Sequence, residues 1–425
     1  SISGGVTVTH GSSTLILNGT IAGSGRFMYQ SPTDFPSTGS VSSTLAFDST
    51  GSNENLPSRN YGGAIEIINT GGTNRTVTVA TGTYSFPSNL YLYASSTGNI
   101  TLDASTNTAT GTITGSVDYL GGGSGSESIT FAAGPWTISG NLDISAGSFT
   151  APTSTLNLAG NYTNTIGTFS SSTGTVVLNG SSQQTLSGTM TGASGFHNLT
   201  ITNNSGNEAT PSIVFNATTT AATSTIATAS TTVQFNASST YTFTNINWNG
   251  QATTTRIKLR SSTGTSTTWL LNVSASGAQT VSNVDAKDSD ASSGDEISAA
   301  DGTNLNSGGN TNWVFTVTAP TVTSTANNVL EINGATTTVA NINITSGAGS
   351  PGGRITSSSD IRIRIPDSFN AVWNSASTTI TCAAGDACAK IATTGVTYES
   401  SNKIAVIKAL QNFTSGQWVQ ISGLQ

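Results

Sequence analysis

Leu142-Asp143-Ile144, Leu156-Asn157-Leu158, Val176-Val177-Leu178, Leu199-Thr200-Ile201, Ile213-Val214-Phe215, Val233-Gln234-Phe235 and Ile246-Asn247-Trp248 punctuate residues 136–250 of this chain. The outer members of each triplet are apolar, which is the alternation of a strand with one face buried. Asn, Gly, Ser and Thr fill the intervals, and no 3.6-residue apolar period interrupts them. The triplets recur at short, uneven intervals, closer from Leu142 to Leu156 than from Val176 to Leu199. Short strands at such intervals, separated by turn formers, predict the rungs of a β-solenoid, in which each rung buries its apolar face only against its neighbours.

The pattern extends in both directions. Thr14-Leu15-Ile16-Leu17-Asn18-Gly19 nearly repeats Thr175-Val176-Val177-Leu178-Asn179-Gly180, so the solenoid is expected to begin close to residue 1. The alternation lapses near residues 26–61, a stretch with Pro32, Pro36 and Pro57 among several aromatics, which reads as a long loop or a cap over a terminal rung. It resumes at Ala64-Ile65-Glu66-Ile67 and continues through Leu90-Tyr91-Leu92-Tyr93, where the leucines should face inward and the tyrosines outward. Tyr91 and Tyr93 are therefore candidate glycan contacts, although such rings also serve simply to cover a neighbouring rung.

Charged residues are only 8% of the chain, against about 25% in ordinary soluble domains. Hydroxyls and amides must therefore keep it in solution. The formal net charge of −7 over 425 residues is too low, and the apolar residues too regularly placed, for disorder. Thirteen basic residues in a chain of acidic pI leave no electrostatic footprint for nucleic acid. No run of 18 apolar residues is present to span a membrane. The chain starts at Ser1 without an apolar leader, which reads as an exported form whose signal has been removed. Cys382 and Cys388 close a short loop in a chain with no other cysteine, so a local disulfide formed in an oxidising, extracellular setting is expected.

One acidic cluster stands out, at Asp285, Asp288, Asp290 and Asp295, with Glu296 and Asp301 beside them. Carboxylates interleaved with Ser and Gly on a turn could ligate calcium through oxygen, although the EF-hand spacing is absent. A solvated turn, or pairing with the cationic face of Arg256, Lys258 and Arg260, accounts for them as well. A boundary is expected at Thr318-Ala319-Pro320, dividing a solenoid over residues 1–318 from a second domain over 319–425. The second domain packs seven or more short strands into about 105 residues, the density of an immunoglobulin-like β-sandwich.

Phe196-His197-Asn198-Leu199-Thr200-Ile201-Thr202-Asn203-Asn204-Ser205-Gly206 resembles a phrase that recurs in very large secreted bacterial surface proteins with β-helical stalks. Residues 281–315, closing on Gly308-Gly309-Asn310-Thr311-Asn312-Trp313-Val314-Phe315, resemble the last rungs of such stalks. Asp360-Ile361-Arg362-Ile363-Arg364-Ile365-Pro366, with Phe369, Trp373 and residues 417–424, is similar to the Ig-like modules that follow them. The resemblance implies an all-β, cell-surface structural or adhesive protein and transfers no catalytic residue. Such modules carry a further strand after the segment at Ile421, so an open edge is expected. Residues 1–10, with Ile2, Val6 and Val8, are a candidate assembly strand that would complete the next subunit and build a head-to-tail homopolymer.

Enzymatic readings find little to work with. The two histidines, His10 and His197, are far apart in sequence, and no Gly-x-Ser-x-Gly elbow joins a strand to a helix. A polysaccharide-cleaving β-helix needs paired carboxylates or a metal site, and only the cluster at 285–296 offers enough of them. The expectation is a non-enzymatic, extracellular subunit of a surface filament or layer. An adhesin or glycan-binding stalk is the alternative. Asn-x-Ser/Thr triplets at Asn18, Asn74, Asn99, Asn161 and Asn198 arise readily in a chain this rich in Asn and Thr, and decide nothing.

Overall fold

A computed structural model describes residues 20–21, 26–29, 35, 40–48, 54–106, 108–121, 123–131, 133–264, 267–327, 336–349 and 353–425. Residues 1–10, with the assembly-strand candidates Ile2, Val6 and Val8, lie outside the described residues, as do the strands expected at 14–19 and 329–333. The chain is all-β. Its described helical segments are short 3-10 turns such as Gly192–Ser194 and Cys388–Lys390. It divides into two compact units, one ending at Asp290 and including Ser307–Asn310, the other comprising Ala291–Asn306 and Thr311–Gln425. The division thus falls earlier than the Pro320 boundary read from the sequence.

The first unit is a parallel β-solenoid of about 10 turns. Among the described residues three long sheets line it, beside a two-stranded one of Thr20–Ile21 and Ser40–Val41. The first runs from Arg26–Tyr29 to Val284–Ala286, the second has 11 strands and includes Thr83–Phe86 and Trp269–Val273, and the third has six, from Glu54–Leu56 to Thr168–Ser170. The apolar triplets are strands as expected, but they fall on two different sheets. Leu142–Ile144, Ile213–Phe215 and Thr232–Phe235 belong to the first, while Thr155–Leu158, Thr175–Leu178, Phe196–Ile201 and Thr240–Asn249 belong to the second. This explains the uneven spacing. Coils also differ in length, the one from Leu142 to its partner Tyr162 being shorter than the one from Leu90 to Val117. After Thr168–Ser170 the third sheet stops, and longer second-sheet strands follow, eight residues at Thr219–Ile226 and ten at Thr240–Asn249.

The region near 26–61 differs from the expected loop or cap. Arg26–Tyr29 and Thr44–Asp48 are parallel strands of the first sheet, joined in register to Ile65–Asn69. Phe27, Tyr29, Leu45 and Phe47 point inward at period 2. The described strands of this stretch are therefore rungs of the first sheet.

Aromatic rings fill the interior. Phe131 lies on Trp136 with centroids 4.0 Å apart and planes within 5°; Phe149 meets Phe131 edge-on and stacks in turn with Phe169. A second group, Phe215, Phe235, Tyr241 and Trp269, fills later coils, with Phe235 and Trp269 at 4.1 Å. Gly111 pairs with Trp136 across adjacent strands, and a Cβ there would come within 2.4 Å of the indole. The bare backbone of one rung is thus the space into which the next rung's largest side chain fits.

Parallel coils leave backbone N–H groups at their corners, and polar side chains one rung away accept them. Asn89 Oδ1 accepts from Ser116 N, Ser116 Oγ from Asn141 N, Asn141 Oδ1 from Asn161 N and Asn161 Oδ1 from Thr185 N, all at 2.8–2.9 Å. Asn74 and Asn99 start a parallel ladder ending at Ser126. Abundant asparagine therefore serves the turns, just as apolar alternation serves the strands.

The second unit contains a four-stranded antiparallel sheet, in the order Thr321–Ser324, Ile342–Thr345, Trp418–Ser422, Thr381–Gly385, and a three-stranded one, Ile361–Arg364, Ile404–Ile407, Thr397–Glu399. One core joins them, including Ile344, Ile363, Trp373, Ala405, Phe413, Val419 and Ile421. Cys382 and Cys388 are disulfide-bonded, as the sequence predicts, clipping an edge strand to the turn after it. Closing so small a loop restricts the unfolded chain by about 2 kcal/mol. Cys382→Ser/Cys388→Ser is expected to lower the stability of this unit by that amount, read as a shift in its denaturation midpoint. A midpoint indifferent to both the substitution and a reductant would contradict it.

Candidate functional site

The acidic cluster is distributed between the two compact units, with Asp285, Asp288 and Asp290 in the first and Asp295 in the second. Asp285 is engaged by Arg260, whose Nη2 lies 2.6 Å from Asp285 Oδ2 and 2.6 Å from Glu208 Oε1. Ser307 Oγ donates to Asp285 Oδ1 at 2.6 Å. Hydrogen bonds from Arg260 hold the Glu208 carboxyl below its usual range. Pairing with the cationic face is thus the alternative realised at Asp285. Asp288 sits on a backbone turn with φ +54, and Asp290 ends a short strand beside Leu270. Among the described residues no group of three or more His, Cys, Asp or Glu side chains is arranged to hold a metal ion.

Within the second unit, Asp295 and Glu296 pair with Arg354. Arg354 Nη2 is 2.7 Å from Asp295 Oδ1, and its Nε donates to the Phe413 carbonyl at 2.9 Å and lies 3.7 Å from Glu296 Oε1. Glu296 also accepts from the backbone N–H groups of Gly349 and Ser415. Side-chain exposures of 6%, 7% and 1% for Arg354, Asp295 and Glu296 make this a buried ionic knot. The sequence reading left Arg354 out, because it lies far along the chain from Glu296 and nothing local connects them.

Tyr91 and Tyr93 lie on the outward face of the first sheet, half-buried, while Leu90 and Leu92 are fully buried, as the alternation predicts. Asn89 Nδ2 donates to the Tyr91 hydroxyl at 2.6 Å. The register sets Tyr91 between Glu66 on the preceding coil and Asp118 on the following one, and Asp143 opposite Asp118 one coil further on. Glu66 is paired with Arg26 at 2.6 Å. The two aspartates were missed in the sequence, although both occupy the outward centre of a strand triplet, Val117-Asp118-Tyr119 and Leu142-Asp143-Ile144. His197, on the second sheet, is exposed, and its backbone N–H donates to Ser171 Oγ.

Burial, and then the charge of Asp143, raise the Asp118 carboxyl above its usual range. The folded chain therefore holds a proton at pH values where the unfolded chain has released it. Asp118 favours folding below that window and opposes it as the pH rises through it. Like charges directly opposed across strands are unfavourable, so Asp118→Asn is expected to stabilise the solenoid at neutral pH by about 0.5 kcal/mol and to remove this acid-side slope. A variant less stable than the wild type at pH 7 would overturn the assignment.

Among the described residues no helix is long and apolar enough to cross a membrane, which leaves strand-built membrane proteins untouched. No known protein-family model, curated protein or solved structure matches the chain.

Proposed function

We propose that the chain is a non-enzymatic structural subunit of a cell-surface filament or layer, with its second unit an immunoglobulin-like module that receives a strand from another copy. The observation that carries this reading is the edge strand Thr321–Ser324. All four of its residues are exposed, Val322 by 49%, and among the described residues no strand pairs with its outer side. Sheet edges are normally blunted by charge, bulges or short length. Ile361–Arg364 carries Arg362 and Arg364, Thr397–Glu399 is three residues long with a terminal glutamate, and Thr381–Gly385 is bulged between Cys382 and Ala384. Thr321–Ser324 carries neither a charge nor a bulge, and among the described residues its outer side is left for strand addition.

Residues 1–10 supply the donor in this reading, with Ile2, Val6 and Val8 as its apolar anchors. A heterologous contact repeated without closure produces a filament. The disulfide supports an extracellular setting, and the low charge supports close packing of copies. Negative-stain electron microscopy of the purified chain tests the proposal. Filaments or sheets are expected from the intact chain, and isolated particles from a form lacking residues 1–10 and from Val322→Lys, which places a charge on the edge. Assembly undiminished in both variants, or no assembly of the intact chain, would reject it.

The adhesin or glycan-binding alternative is favoured by a separate observation, the column of Tyr91, Asp118 and Asp143 on the first sheet.

A further inference from the structure

Asp118 and Asp143 face each other on adjacent coils, about 4.8 Å apart along the sheet. Neither makes a side-chain hydrogen bond or ion pair among the described residues, whereas Glu66 in the same column is neutralised by Arg26 and Asp285 on the same sheet by Arg260. A chain with only 20 acidic residues thus sets two of them in direct opposition and leaves them without a cation. That placement opposes folding, and costs of this kind concentrate where a ligand uses the groups.

Tyr91 supplies an independent observation. It occupies the next position of the same column, and Asn89, just before its strand begins, holds its hydroxyl. The hydrogen bond fixes the end of the ring, and the register puts its position next to Asp118. Tyr93 stands two residues further along the same face, opposite Ile68 of the preceding coil. Aromatic faces of this kind take the C–H face of a pyranose or an organic cation.

We propose that Tyr91, Asp118 and Asp143 form a binding site for a glycan bearing free amino groups. One sugar rests on Tyr91, and ammonium groups of the following units pair with Asp118 and Asp143. A neutral glycan would satisfy the ring but leave two carboxylates opposed. A basic peptide would neutralise the carboxylates and set a cation on the ring, so oligolysine is the comparator that separates it from the amino sugar. The site deepens the glycan-binding alternative and requires no self-assembly, so it stands or falls separately from the filament.

Isothermal titration calorimetry on the full chain tests it, with an oligomer of β-linked glucosamine as the probe and its fully N-acetylated counterpart and oligolysine as comparators. The glucosamine oligomer is expected to bind best. Asp118→Asn/Asp143→Asn should weaken it by about tenfold or more, and Tyr91→Ala by several-fold. Because Asp118→Asn is expected to stabilise the fold, loss of binding in the aspartate variant cannot be ascribed to misfolding, and its denaturation midpoint is measured alongside. Equal binding of the acetylated oligomer, equal binding of oligolysine, indifference to the aspartate substitutions, or no binding of the glucosamine oligomer would each overturn the proposal.

Discussion

Trp136→Ala is expected to lower the stability of the solenoid by about 3 kcal/mol and to loosen its neighbouring coils before the rest. The indole is fully buried, lies on Phe131 at 4.0 Å and packs, across the bare backbone of Gly111, near Tyr84 and Phe86 two coils back. Deleting a buried tryptophan removes its transfer energy and leaves a cavity, together about 3–5 kcal/mol. One term acts in the opposite sense. Among the described residues the buried Trp136 indole N–H meets no acceptor, and losing it returns about 1 kcal/mol, too little to reverse the sign. Trp136→Phe separates the two terms, because it keeps most of the stack and removes the unpaired donor. It should cost no more than about 1 kcal/mol. In a solenoid the stability of a coil depends on its immediate neighbours. Amide exchange should therefore accelerate first at the paired strands Thr110–Ile113 and Thr155–Leu158, and at Thr83–Phe86, whose rings meet the indole. Uniform acceleration along the whole solenoid, or a Phe variant as damaged as the Ala variant, would show that the stack does not carry the local stability.

Arg354→Ala should destabilise the second unit by about 3–5 kcal/mol, since it leaves Asp295 and Glu296 buried without their countercharge. Arg354 also donates to the Phe413 carbonyl, so its loss frees a backbone acceptor as well. The net value of the intact knot is a different quantity. Three charges were taken from water to form it, and replacing all of them by apolar residues of similar size is often neutral or stabilising. Arg354→Met/Asp295→Leu/Glu296→Met is accordingly expected to be much more stable than Arg354→Ala. Chemical denaturation of the two variants decides. If the triple variant is as unstable as the single one, the knot contributes net stability and not merely a penalty on breaking it.

Residue order along the strands was legible wherever one face is buried. Leu142/Ile144, Leu156/Leu158 and Leu90/Leu92 announce themselves at period 2 because water and core impose opposite demands on successive residues. The disulfide was legible too, since Cys382 and Cys388 are close in sequence and the chain offers neither another partner. The stretch near 26–61 misled because its prolines and loop-forming residues outnumber its short strands. There the inward pairs Phe27/Tyr29 and Leu45/Phe47 are the signal. Asp118 and Asp143 belong to separate triplets with a whole coil of sequence between them, and each alone looks like an ordinary outward polar residue.

What the sequence determined by itself was therefore local and periodic: parallel rungs, polar turns, a low-charge surface and a clipped loop, each set by neighbours close along the chain. Tertiary structure alone decided which triplets share a sheet, that Gly111 makes room for Trp136, that Arg354 closes on Asp295 and Glu296, and that Asp118 meets Asp143. Those outcomes depend on coil length, which is not constant: the coil closed by Leu142 and Tyr162 is shorter than the one closed by Leu90 and Val117. A slip of a single position would turn every side chain of a rung to the opposite face. Composition does not encode that register, and only the stacking of complete coils fixes it.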